Sequence, residues 1–212
     1  MHFANVRRFC VGLALLAVIG ASRANAQGYG LPLGDTANTL PKGLATGAAD
    51  VTIGTRASLY GARVSYALAD DIRIFTDFGG TNLKDSGGGT ALQGGLLLAF
   101  EGEPPLDLAA RVAFYQNIAD HVDVSGANAM LVGSMQLFYV GFYVYGGAGV
   151  NVDKIQTTAL DENDLLYNSD RTQFSGAFTA GALWSLTQHW SMYLEASAVG
   201  HPFVGAGTRC QF

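Results

Sequence analysis

Three groups of residues in this chain have types and spacings that could do chemistry. His189 is followed by Ser191 and Glu195, a base beside a hydroxyl nucleophile with a carboxylate to orient the base, which is the minimum set for acyl transfer. His121 stands between Asp120 and Asp123, and paired acids with a histidine make a general acid–base set. Residues 153–171 hold Asp153, Asp161, Glu162, Asp164 and Asp170, oxygen ligands of the kind a hard cation takes. Their spacing departs from the twelve-residue EF-hand loop, whose ligands fall at positions 1, 3, 5, 7, 9 and 12 with glycine at 6. The segment therefore reads as a solvated acidic loop, and neither a metal site nor a cofactor is expected.

The elements that would carry these residues follow from composition. Of 212 residues, 49% are hydrophobic and 14% charged, against roughly 25% charged in an average soluble domain. So apolar a chain folds, and at this length it makes one domain. Its 28 glycines suit turns and closely packed strands better than helices. Residues 1–26 read as a cleaved secretory signal, with Arg7 and Arg8 ahead of the apolar run Cys10 to Gly20 and with Ala24-Asn25-Ala26 as the cleavage site. That run is about eleven residues, well short of the roughly 20 a helical span needs. Cleavage removes Cys10 and leaves Cys210 alone, which excludes an internal disulfide and every multi-cysteine metal site. It also removes Arg7, Arg8 and Arg23 and no acid, so a formal charge of −5 becomes more negative. Nucleic acid, which needs a basic stripe, is excluded as a partner. Residues 27–42 have no periodicity and five glycines and prolines, Gly28, Gly30, Pro32, Gly34 and Pro41, and read as a flexible lead-in.

From 43 to 212 the chain alternates at period two, the signature of half-buried strands. Segment 57–68 places Tyr60, Val64, Tyr66 and Leu68 on one face and Arg63 on the other, and 72–79 sets Ile72, Ile74 and Phe78 against Arg73, Phe75 and Asp77. Ala69-Asp70-Asp71 joins them as a tight turn. The unit recurs in 91–101 with 106–115 around Glu103-Pro104-Pro105, in 127–138 with 142–153 around Tyr139-Val140-Gly141, and in 173–186 with 190–198 around Thr187-Gln188-His189. These eight strands are flanked by weaker ones at 44–53 and 203–212, giving ten by count, with eight as the smaller alternative.

A soluble sandwich would also alternate, but its polar face would carry long solvated lysines. This chain has Lys42, Lys84 and Lys154 after the signal, all in loops or at strand ends, and its polar faces are mostly small or uncharged. Such faces suit a crowded interior, with the apolar faces in lipid. In hydrocarbon every backbone polar group must pair, so the sheet has to close. The expected fold is all-β, a closed antiparallel up-and-down transmembrane barrel. Arg63, Arg73, Asp77, Glu101, Asp107, Arg111, Glu195 and Arg209 fall on interior positions and would form a charge-paired network filling the lumen; the competing reading is a narrow pore lined by the same residues. Tyr66, Phe100, Phe142, Trp184 and Trp190 cluster near the four tight turns, as an interfacial aromatic girdle would. Longer loops are expected at the other end, around 80–90, 117–127 and 154–171.

At 143–150 the run Tyr143-Val144-Tyr145-Gly146-Gly147-Ala148-Gly149-Val150 resembles the Pro-Tyr-x-Gly-x-Gly-x-Gly strand of the small outer-membrane β-barrel proteins of Gram-negative bacteria, the opacity-like and outer-membrane-protein-A-like barrels, without its proline. Residues 204–212 are similar to that group's closing strand, with Cys210 where an aromatic is common and Phe212 in the place of the terminal phenylalanine read by the insertion machinery. The resemblance implies residence in the cell outer membrane. The partners it implies are outer-membrane lipid, lipopolysaccharide and the barrel-assembly machinery. A structural or adhesin-like role is expected, with 153–171 meeting any extracellular partner, and a small passive porin-like channel as the alternative. His189, Ser191 and Glu195 resemble the motif of outer-membrane lipid A deacylases, but Met192 replaces the asparagine after the serine and His189 falls on a turn at the wrong end. The His121 set is a faint echo of the omptin-type protease barrels, so no catalytic residues are expected.

Overall fold

The computed structural model describes residues 34, 36–38, 40–55, 57–83, 87–100, 105–137, 141–160, 166–199 and 201–212; the proposed signal at 1–26 lies outside them. Ten strands form one closed antiparallel sheet: β1 (Ala45–Gly54), β2 (Ala57–Ala67), β3 (Ile72–Leu83), β4 (Gly87–Phe100), β5 (Leu106–Ala119), β6 (Val122–Gln136), β7 (Phe142–Leu160), β8 (Leu166–Ser185), β9 (Trp190–Val199) and β10 (His201–Gln211). Each strand pairs with its neighbours in sequence, and β1 closes on β10 from Thr46↔Gln211 to Gly54↔Phe203. Beyond that ladder, the N–H and C=O of Phe212 bond the C=O and N–H of Ala45 at 3.0 Å each.

Stepping across paired residues from Thr46 at the foot of β1 leads through Ser65, Phe75, Gly95, Ala113 and Asn128 to Asn151 and Ser175, far above the feet of β7 and β8. This stagger is what a closed sheet requires, with strands tilted by roughly 40° to the axis. Burial alternates accordingly. Arg63, Arg73, Asp77, Gln93 and Glu195 are buried, while Tyr60, Ile74, Phe78, Leu92, Phe114, Leu131 and Leu194 are exposed on the outer wall. The ends at which β2 and β3, β4 and β5, β6 and β7, and β8 and β9 follow one another, with Ala45 and Phe212 beside them, define a base; the opposite end is the rim. Trp184, Trp190, Phe100 and Tyr66 lie exposed at the base, Phe142 pairs with Trp184 there, and Gly141 takes φ +90° in its turn, a conformation that suits glycine.

Two expectations are corrected. The stretches 80–90, 117–127 and 154–171 are not long loops. β3 and β4 run to Leu83 and from Gly87, β5 and β6 to Ala119 and from Val122, and β7 and β8 to Leu160 and from Leu166. The period-two signal fades there because strands beyond the apolar band need no apolar outer face, while the backbone ladder continues. The lead-in is not free of the fold either: Thr36, Ala37 and Leu40 are buried within the mouth at the base.

Candidate functional site

The interior is layered. Across its middle, Arg63 lies against Asp77 through Nε to Oδ1 at 2.5 Å and Nη2 to Oδ2 at 2.8 Å, and Gln93 Nε2 donates to the same Oδ2 at 2.7 Å. Adjacent strands supply these groups, Arg63 facing Asp77 across β2–β3 and Asp77 facing Gln93 across β3–β4. Phe75 is buried between the guanidinium groups of Arg63 and Arg111, 5.0 and 4.7 Å from its ring centroid, where ring-face attraction offsets like-charge repulsion. Arg111 Nη1 donates to Asn128 Oδ1 at 2.8 Å. On the far wall Tyr193 donates to Asp50 Oδ2 at 3.1 Å and Tyr145 to Glu195 Oε2 at 2.9 Å. Glycine makes room for both rings: a Cβ at Gly207 or Gly181 would collide with Tyr193 or Tyr145.

Above and below this belt apolar side chains gather in two clusters, with buried polar groups among them: Thr52, Thr81, Asn117, Asn151 and Asp153 toward the rim, and Thr46, Ser65, Arg73 and Ser134 toward the base. Toward the rim Leu59, Leu83, Val124, Ile155 and Phe203 pack together with Tyr115. That tyrosine's hydroxyl donates to Asn151 Oδ1 at 3.0 Å and touches Asp153, whose Oδ2 accepts from Asn151 Nδ2 at 2.7 Å. Toward the base Leu97, Ala109, Met130, Val132 and Leu183 pack with Tyr145 and Tyr193, and Ala37 from the lead-in joins them. The lead-in is held by backbone groups: Gly34 N–H donates to Glu195 Oε2 at 2.8 Å, Ala37 N–H to Ser134 Oγ at 3.0 Å, and Thr36 C=O accepts from Arg73 at 3.5 Å. The expected filling of charge pairs is thus confined to one belt, with a cluster built around apolar residues on either side of it.

Of the expected interior residues, Arg63, Asp77, Arg111 and Glu195 sit in the belt or its wall. Arg73 and Arg209 instead line a cavity of about 520 Å³ at the base with Thr36, Tyr143, Gln188 and Gln211. Asp107 is half-buried near the base, and Glu101 lies outside the described residues. Phe75, Asn128, Tyr115, Asn151, Asp153 and Asp50 complete the interior. Parity already put Phe75 and Tyr115 on the inner face. Asp153 stands at the last position of the expected strand 142–153 and reads with the acidic loop that follows it.

Of the candidate chemical sets, only that of His121 is gathered in one depression. His189 is exposed on its turn beside the carbonyl of Gln211, Ser191 is buried against Ser185, and Glu195 is taken by Tyr145 and Gly34. His121, Asp120 and Asp123 share a depression of about 550 Å³ at the rim with Gln156 and Asp170. The acids of 153–171 are dispersed: Asp153 is inside the barrel, Asp170 lies outside it 3.4 Å from Lys154, and Asp161, Glu162 and Asp164 fall outside the described residues. Among the described residues no group of three His, Cys, Asp or Glu is placed to hold a metal ion.

No family model matches the chain, and no curated protein matches it in sequence. Solved structures resemble it in fold. The outer membrane protease OmpT from Escherichia coli aligns at TM-score 0.50 and 10% identity over 84% of this chain and 100% of that one. The N-terminal β-barrel domain of Pseudomonas aeruginosa OprF aligns at 0.43 and 16% over 82% and 100%, and the attachment invasion locus protein Ail of Yersinia pestis at 0.32 and 12% over 81% and 99%. The fold is that of the outer-membrane β-barrels.

Proposed function

We propose that this chain is an integral protein of a Gram-negative outer membrane, with its base toward the periplasm and its rim outward. It acts as a non-enzymatic, non-conducting barrel whose role is structural and surface-interactive. One observation carries the reading: side chains pack across the lumen at three levels, an ion-paired and hydrogen-bonded belt in the middle and a cluster built around apolar residues on either side of it. A pore needs a continuous wetted path, and packed side chains on both sides of the belt oppose one. The exposed aromatics near the base fit a lipid interface, and outer-leaflet lipopolysaccharide is the lipid expected near the rim. Phe212, 67% exposed, is available to the barrel-assembly machinery.

The test is conductance of the refolded protein in planar bilayers, combined with fractionation of cells expressing it. Silence across the bilayer and recovery with outer membranes are expected. Steady conductance that changes in Arg111→Ala would replace this reading with the passive channel. Incubation with lipid A should yield no product; product lost in His189→Ala would make the chain an enzyme.

A further inference from the structure

β8 is laddered unequally on its two sides. It pairs with β7 from Leu166 to Trp184, but with β9 only from Ala177 onward, so among the described residues the stretch Leu166–Gly176 is bonded on one side alone. Two turn bonds fix which groups face the open side. Ser185 N–H donates toward β7, to Gly141, and Leu186 N–H donates toward β9, to Trp190. In a strand these directions alternate residue by residue, and the β7–β8 register is unbroken. Asp170, Thr172, Phe174 and Gly176 therefore aim N–H and C=O at the open side. Their side chains are exposed, Phe174 to 80%. β7 by contrast stays laddered to β6 up to Thr157.

We propose that this edge of β8 is a strand-addition site that takes an extended segment of another polypeptide outside the cell. The proposal rests on the reading above that the rim faces outward. Unpaired strand edges recruit strands through main-chain hydrogen bonds, with side-chain matching for specificity. A second copy of this chain fits poorly. Antiparallel self-pairing centred on Leu166–Gly176 puts the two-fold axis at Arg171 and sets two guanidinium groups side by side, and moving the axis to Asp170 opposes two carboxylates; directly opposed like charges destabilise a ladder, and an axis on Thr172, which avoids both, sets Asp170 against Phe174 and Arg171 against Gln173, so that neither charge is matched. The matching partner runs antiparallel with an apolar residue opposite Phe174, two unconstrained residues, an acid opposite Arg171 and a base opposite Asp170.

The experiment uses the full chain refolded in detergent micelles and a synthetic peptide of threonines and valines carrying Phe, Glu and Lys at that spacing. Amide exchange at Asp170, Thr172 and Phe174 should slow by about tenfold, near the upper effect of one net hydrogen bond, while Arg171 and Gln173, already bonded to β7, stay unchanged. Thr172→Pro, which removes an open-side N–H, should abolish binding, and Thr172→Val should retain it. Arg171→Glu should weaken the peptide and be rescued by a peptide with Lys in place of Glu. Unchanged exchange, equal binding by Thr172→Pro, or protection of the same amides by self-association without peptide would each overturn the proposal. Conductance on the same preparation separates the two readings: a conducting barrel that protects these amides sinks only the non-conducting function, and a silent barrel that does not protect them sinks only the strand-addition site.

Discussion

At the base, Gly34, Thr36 and Ala37 enter the interior as backbone and are gripped by Glu195, Arg73 and Ser134, whereas at the rim Leu59, Leu83, Val124, Ile155 and Phe203 meet as side chains of the wall itself. The lower closure is an inserted segment that can in principle leave without breaking a strand. The upper one is inseparable from the sheet. Between them, the Arg63–Asp77 pair belongs to neither end and ties three adjacent strands together.

The sharpest way to break this comparison is Asp77→Ala, which leaves Arg63 buried without its carboxylate. Loss of one partner from a buried pair costs about 3–5 kcal/mol, so the urea midpoint in lipid vesicles should fall steeply; a change under about 1 kcal/mol, the scale of a surface pair, would mean the belt is not what joins the layers. Leu59→Ala opens the rim layer and should cost about 2–4 kcal/mol by loss of packing, without freeing the lead-in. Glu195→Ala should do the reverse at a cost of about 1–3 kcal/mol: cleavage by added protease within 34–40 should rise while strand amides stay protected. Equal sensitivity of both ends to either substitution would dissolve the distinction. Deletion of Phe212 removes two hydrogen bonds at the seam for a loss of about 1 kcal/mol, and should slow assembly in cells more than that loss explains.

The wall of this fold was legible because each strand must keep one face apolar, and the alternation of Tyr60, Val64 and Tyr66 against Arg63 states it directly. Where that demand lapses, the signal does too: the far parts of β7 and β8 carry Lys154, Asp170 and Arg171 and read as loop although they pair throughout. The belt was legible as a face but not as a network. Parity places Arg63, Phe75 and Asp77 inside, but that Arg111 reaches Phe75 from β5, with β4 between, depends on stagger around the whole ring. The insertion of Gly34 had no visible signal, since a backbone N–H carries no residue type.

The β1–β10 seam sets an order of events. Thr46 pairs with Gln211 and Ala45 with Phe212, so the sheet cannot be completed until the chain has been synthesised through residue 212. Contacts of such sequence separation are slow to form. A chain short of that point carries two raw strand edges and a greasy exterior, and closing this one seam removes both edges together.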